Sequence, residues 1–282
     1  MIIDFHTHVL PPNIREQRHK YAEADACFAA LYADKRAQIA SAEELITSMD
    51  KNGIDVSVVL NIGWTNPELC AETNDYIIEA ITRYPGRLVG FGAVQPGSIE
   101  ATAGEIERLA RGGIRGIGEM RPDIQDFDLS DDKTMTPLVE TMTHYKLSLL
   151  LHCSEPVGHI YPGKGAVTPD KLYPFIARYP ELNIICAHWG GGLPFYGLMP
   201  EVKKAFGNVY FDSAASSFLY NPLIYRVVSE ITGSDHILFG SDYPLLNPTR
   251  LINEIKTLKL PPETEKQILG GNANRLLGLT PL

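Results

Sequence analysis

The sequence predicts a single-domain (β/α)8 barrel, and three observations carry that prediction. Eight short apolar runs alternate with segments of helical spacing along 282 residues. Several runs are apolar throughout, as in Leu149-Leu150-Leu151 and Ile237-Leu238-Phe239, the pattern of parallel strands buried on both faces. The length is ordinary for one such barrel. An open doubly wound sheet fits less well, because no Gly-x-Gly-x-x-Gly follows an early strand.

In chain order, the first run covers residues 2–6 and leads into a long insertion, residues 9–40. Pro11 and Pro12 break the backbone there, and the spacing of Tyr21, Phe28, Leu31 and Tyr32 predicts one or two helices. A lid over a site and a surface decoration are both open readings of this insertion. Ser41-Ala42-Glu43-Glu44 reads as a capping box that starts a helix closed by Gly53. Strands are then predicted at 54–62, 87–94, 114–119, 147–152, 184–188, 209–212 and 236–241. Between and after them, helices are predicted at 66–84, 98–111, 135–145, 169–179, 193–206, 222–231 and 249–258, with one closing helix at 263–277. No repeat or low-complexity linker divides the chain, so residues 1–282 form one domain.

Composition narrows the function classes. A net charge of −9 without clustered Lys or Arg argues against a nucleic-acid partner and leaves a small molecule as the expected one. No apolar run is long enough to span a membrane, and residue 1 leads into a strand without a basic leader, so a cytoplasmic protein is expected. Cys27, Cys70, Cys153 and Cys186 lack Cys-x-x-Cys spacing and read as buried apolar residues. The oligomeric state is left open, and a homodimer is compatible with the sequence.

The strand ends carry the chemistry. In a barrel the carboxyl ends of all strands meet on one rim, so residues far apart in sequence converge there. His6 and His8 stand two apart and share one strand face, about 7 Å apart at the backbone. Alone this is a weak chelating pair. Glu119, His152, His188 and Asp242 end later strands, and together the six define a metal site. Imidazole nitrogens with carboxylate oxygens and no thiolate suit Zn²⁺ first, in one or two ions, and also Mn²⁺, Fe²⁺ or Co²⁺. Asp4 is expected to face inward below the pair as its hydrogen-bond partner. Arg121 could hold a substrate carboxylate, while His159 and Trp189 stand on the same rim as further substrate-contact candidates.

These motifs resemble the amidohydrolase superfamily, specifically the amidohydrolase-related (amidohydrolase 2) family and its aminocarboxymuconate-semialdehyde decarboxylase-like branch. The similarity lies in Ile3-Asp4-Phe5-His6-Thr7-His8, Leu151-His152, Ala187-His188-Trp189-Gly190-Gly191, Phe239-Gly240-Ser241-Asp242-Tyr243-Pro244 and Asn272-Ala273. The resemblance implies metal ligation by His6, His8, His152 and Asp242, with His188 as a second-metal ligand or proton-transfer residue. Gly116-Ile117-Gly118-Glu119 departs from that branch and resembles the TatD-type deoxyribonucleases of the superfamily, where such a glutamate bridges two metals.

A bridging carboxylate tilts the expectation towards hydrolysis, since it can span ions about 3.5 to 4 Å apart. The expected function is therefore a metal-dependent hydrolase that cleaves an amide, lactone or ester with metal-activated water. Asp242 would accept the water proton, and His188 would stabilise the oxyanion or bind a second ion. The alternative is a metal-dependent non-oxidative decarboxylase of an aromatic or dienoic acid. A barrel that binds without turnover is disfavoured by the full complement of ligands.

Overall fold

The computed structural model describes residues 1–279. Eight parallel strands follow one another around a single sheet in sequence order: β1 Ile3–His8, β2 Val56–Leu60, β3 Leu88–Gly92, β4 Gly116–Met120, β5 Ser148–Leu151, β6 Ile184–Cys186, β7 Val209–Asp212 and β8 Ile237–Leu238. Closure comes from backbone bonds between β1 and the segment around β8, with Phe5 N to Phe239 O at 2.7 Å, Asp242 N to His6 O at 2.8 Å and His8 N to Tyr243 O at 2.7 Å. The sheet is thus the predicted (β/α)8 barrel.

Alternation along the strands divides the core into layers. Ile3, Phe5, Val56, Val58, Leu60, Phe91, Leu150, Ile185 and Leu238 fill the lumen, and Ala273 and Leu277 join the same cluster. Leu149, Leu151, Ile184, Cys186, Phe211 and Ile237 belong instead to the larger cluster built with helix residues such as Ile106, Leu109, Met142 and Phe175. Two strands break the alternation. The register between β1 and β2 runs Asp4 to Ser57 but Thr7 to Val59, so β1 carries one extra residue; β4 slips likewise against β5 between Ile117 and Met120. Such bulges re-aim side chains. The first puts His6 and His8 in the lumen's phase, while Asp4, which precedes it and stands between the lumen residues Ile3 and Phe5, faces the other way and not inward below the histidines. The second aims Glu119 towards the same histidines.

The local signals produce the expected helices over most of the chain. Ser41 and Glu44 complete the capping box of Ala42–Asn52, and Gly53 ends it at φ 69°. Two predicted helices come out differently. Residues 193–206 split into a 3-10 turn Leu193–Leu198 and a short helix Pro200–Lys204, because Pro200 cannot extend the preceding turn. The closing segment divides into Pro262–Lys266, a π turn Gln267–Gly271 and Asn272–Leu277. A Cβ at Gly270 would lie 2.6 Å from the Met1 carbonyl oxygen, so the segment bends where it meets the start of β1.

The 9–40 insertion folds as three short helices, Pro12–Glu16, Arg18–Ala24 and Ala26–Tyr32. It is anchored on the segment after β2. Phe28 stacks on Trp64 at 5.4 Å and 6°, and Asp25 caps its helix at Phe28 N while accepting from Thr65 N at 2.8 Å and Thr65 Oγ1 at 2.7 Å. The four cysteines are buried and free. Among the described residues no helix is long and apolar enough to cross a membrane.

Candidate metal centre

Four histidines and two carboxylates meet at the carboxyl end of the barrel. His6 Nε2 and His8 Nε2 are 3.1 Å apart. Asp242 Oδ1 lies 3.7 and 3.6 Å from those two nitrogens, and Glu119 Oε2 lies 3.8 and 3.6 Å from them. The other oxygen of Glu119 turns away from this group: Oε1 stands 2.9 Å from His152 Nδ1 and 3.3 Å from His188 Nε2. Glu119 therefore separates His6, His8 and Asp242 on one side from His152 and His188 on the other. His6, His8, Glu119, His152 and His188 are all buried.

The imidazoles are oriented from behind. Asp212 Oδ2 accepts from His6 Nδ1 at 2.8 Å, the Leu60 carbonyl from His8 Nδ1 at 3.2 Å and the Ala214 carbonyl from His188 Nδ1 at 3.1 Å. Each of these bonds ties up the Nδ1 proton and leaves the Nε2 lone pair facing the carboxylates, the arrangement of a ligating histidine. His152 is turned the other way, with Nδ1 towards Glu119 and Nε2 3.4 Å from Ser154 Oγ. These donors fit a divalent cation that takes nitrogen and oxygen ligands.

Two carboxylates hold the frame. Asp212, the last residue of β7, also accepts from His188 N and Ala214 N, both at 3.0 Å, and is fully buried. Sequence reasoning passed over it, although its place at a strand end was the same signal that singled out the others. Asp4 accepts from Ser241 N at 2.8 Å and Ser241 Oγ at 2.6 Å, fixing the residue next to Asp242; burial pushes its carboxyl up to about 6 against those bonds.

The strand-6 rim departs from simple alternation. β6 ends at Cys186, two residues short of the expected limit, because His188 and Trp189 adopt left-handed φ values of 54° and 58°. Cys186 packs with the helix-side core while His188, two residues further on, swings to the centre. Trp189 is buried against Tyr225, ring centroids 4.9 Å apart, and donates to Ser216 Oγ at 2.9 Å; it braces this turn. His159 lies exposed in the loop after β5, its ring 5.5 Å from that of Tyr161. Arg121 is 2% exposed and donates to Asp123 Oδ2 at 3.1 Å. A Cβ at Gly165 would lie 3.0 Å from both Arg121 Nη2 and His152 Cδ2, which places the guanidinium beside the second histidine pair.

Without a cation, protons take over part of its electrostatic role. Burial disfavours charge on His6, yet Asp212, then Glu119 and Asp242, outweigh it and push the imidazole up to about 10. Burial is likewise overcome at His188, which Glu119 pushes up to about 9. His8 is lowered by burial and by the charge on His6; His152 is lowered by burial and by Arg121. Burial would raise the Glu119 carboxyl, but His152 and His6 hold it well below its ordinary value. A histidine raised from 6.5 to about 10 stabilises the fold fully below pH about 6.5 and loses that contribution as pH rises through about 10. The metal-free protein is accordingly expected to lose melting temperature between pH 7 and 9.5, whereas cation-loaded protein does not follow that decline. Melting curves in chelator and in Mn²⁺ measure this; a flat or rising metal-free profile contradicts it.

A family model described as amidohydrolase matches residues 3–279, and the chain belongs to that family. The chain is 24% identical to 2-amino-3-carboxymuconate-6-semialdehyde decarboxylase of Dictyostelium discoideum, over 99% of this chain and 92% of that protein. Its structure is similar to that of 5-carboxyvanillate decarboxylase from Sphingomonas paucimobilis, with a TM-score of 0.81, 20% identity and 99% of both chains covered. It is also similar to 5-carboxyvanillate decarboxylase from Novosphingobium aromaticivorans, solved with manganese and 4-hydroxy-3-methoxy-5-nitrobenzoic acid, with a TM-score of 0.79, 20% identity and 99% and 96% of the two chains covered. These likenesses overturn the expectation of a hydrolase: the relative and both neighbours are carboxy-lyases. The physical reason lies in what Glu119 can report. A carboxylate between two donor groups bears on how much positive charge the site holds, not on whether the bond broken is C–C or C–N.

Proposed function

We propose that this protein is a metal-dependent non-oxidative decarboxylase of an aromatic or dienoic acid, with Mn²⁺ as its ion. The observation that carries the reading is Arg121. A buried cation beside the metal centre, with one carboxylate neighbour and with Nε and Nη1 unpartnered among the described residues, calls for an anionic group to complete it. A substrate acid supplies that group; a neutral amide or lactone does not. The similarity to decarboxylases of carboxylated aromatic and dienoic compounds supports the same class. Nitrogen and oxygen donors without thiolate accept Mn²⁺ as well as the zinc expected from sequence, and manganese is the ion in the Novosphingobium structure.

His6, His8, Glu119 and Asp242 would hold the ion, and when bound it supplies the positive charge that fixes a substrate oxygen at the rim. The remaining work falls to the chain. Arg121 aligns the acid. Asp242, whose side chain at 14% exposure against 7% for Glu119 is the more accessible carboxylate of the cluster, takes up a proton from solvent and relays it to the carbon that bears the leaving carboxylate. As the C–C bond breaks, its electron pair stays on that carbon, CO₂ departs and the proton takes its place. In this reading the 9–40 insertion serves as the lid over the site, which is supported by the burial of Tyr32, whose hydroxyl is raised by that burial and by the carboxylates of Asp242 and Glu119.

The test is CO₂ release from hydroxylated benzoates, carboxylated vanillates and a carboxymuconate-type dienoic acid. In D₂O one deuterium should appear at the vacated carbon. Chelation should abolish release and Mn²⁺ restore it. Cleavage of amides or lactones with no CO₂ from any acid tested would refute the proposal.

A further inference from the structure

We propose that the segments after β5, β6, β7 and β8 form the contact face of a two-fold homodimer, with a second copy of this chain as its occupant. The first observation is where exposed apolar side chains stand. Of the eleven large apolar side chains exposed among the described residues, all but Met1 and Ile99 fall within 156–163, 189–200, 213–225 and 243–249. Those four segments contain no Asp, Glu, Lys or Arg, in a chain that is 21% charged. Leu198 is 76% exposed and Phe218 54%. Depletion of charge with aromatic and methionine side chains at the centre marks the core of a protein interface, and Phe195, Tyr196, Met199 and Phe218 supply them here. At roughly 200 Å² per side chain, the exposed fractions come to on the order of 1,000 Å². That exceeds the largest patch of a typical monomer, about 300 to 600 Å². It is close to the area of about 800 Å² that each partner buries in a stable complex.

The four segments make one surface. The close approach of Gly191 to the Ser154 carbonyl joins those after β5 and β6, and the Phe195 and Tyr220 rings, 6.3 Å apart at their centroids, join those after β6 and β7. The Arg250 guanidinium lies over the Phe218 ring at 5.7 Å, which ties in the segment after β8. Seven of the chain's 20 prolines fall in these segments, so little backbone freedom is left to lose on association. Charge selects the occupant. At a net charge of −9, two copies repel each other over most approaches, and a face without charge is where they meet at least cost. A basic partner would be drawn to the acidic surface instead. An uncharged patch is also compatible with itself, so a two-fold axis through it opposes no like charges. The proposal does not depend on which reaction the protein catalyses.

The experiment is sedimentation velocity on the full chain from about 1 to 100 μM, the range in which an interface of ordinary size associates. A species of twice the 31.2 kDa chain mass is expected. Leu198→Glu and Phe218→Glu each place a charge on the face and should yield monomers with unchanged far-ultraviolet circular dichroism. Ile99→Glu, an exposed apolar position outside the four segments, should remain dimeric. Hydrogen exchange on the wild-type chain reads the face without any substitution: amides in 156–163, 189–200 and 213–225 should gain protection as concentration rises through the transition. A wild-type chain that stays monomeric at 100 μM overturns the proposal, including one that binds neutral phospholipid vesicles instead. A dimer that survives Leu198→Glu and Phe218→Glu together overturns it too, as does protection gained only outside these segments.

Discussion

Asp242→Asn is expected to lower CO₂ release by about 10²- to 10⁴-fold, the range for loss of a positioned proton-transfer group. The substitution is chosen because it changes little else. Asp242 sits at φ 67°, a left-handed conformation that Asn tolerates nearly as well as Asp. Its backbone is held by Asp242 N to His6 O at 2.8 Å and by the Asp4–Ser241 bonds beside it, none of which uses the Asp242 side chain. An amide oxygen can still face His6 and His8, so the Asn variant should fold and retain Mn²⁺ while being unable to give up the proton. Turnover, manganese content and melting temperature measured together separate these effects. Turnover within tenfold of the parent, with manganese retained, would show that Asp242 does not carry the proton.

Gly191→Ala is expected to have the largest effect on stability. A Cβ there would lie 2.2 Å from the Ser154 carbonyl oxygen and 2.6 Å from its carbon, and the residue's φ of 60° is already unfavourable for alanine. The clash is with backbone, so no side chain can rotate away. The rim beyond β5 and the left-handed turn beyond β6 must separate, and with them His152 and His188. A cost of about 3 to 5 kcal/mol is expected, a fall in melting temperature on the order of 10 °C for a chain of this size. Gly104→Ala is the control. That glycine lies in the helix Ile99–Arg111 with nothing within 4 Å of the added methyl, so helix propensity should stabilise the protein by about 0.5 to 1 kcal/mol. Equal melting temperatures for the two variants would show that the close approach at Gly191 does not limit stability.

The wild-type residues in these two tests were not equally legible in the sequence. Asp242 was visible from the end of an apolar run, as were His6, His8, Glu119, His152 and His188, because a parallel barrel brings every strand's carboxyl end to one rim. The Gly191 contact was not, since the residue it touches lies 37 positions earlier along the chain (191 − 154). Arg121 falls between the two cases. Its position beyond Glu119 suggested an acid-binding role, but only the folded chain reveals that its Nε and Nη1 lack partners among the described residues.

The sequence by itself determined the architecture and which histidines and carboxylates gather at the rim, because both follow from periodicity: burial on both faces makes the strands apolar, and polar residues at their ends stand out. Tertiary structure decided how those residues are used. A one-residue bulge in β1 puts His6 and His8 in the lumen's phase, and another in β4 aims Glu119 between the two histidine pairs. The left-handed turn at His188 and Trp189 sends one ring to the centre and the other into the wall. Asp212 becomes the support for both His6 and His188 only when β7 lies beside β6. Sequence spacing tells which face a regular strand presents. Bulges, left-handed turns and contacts between distant segments are set by packing, and these place His6 and His8 on one oxygen of Glu119 and His152 and His188 on the other.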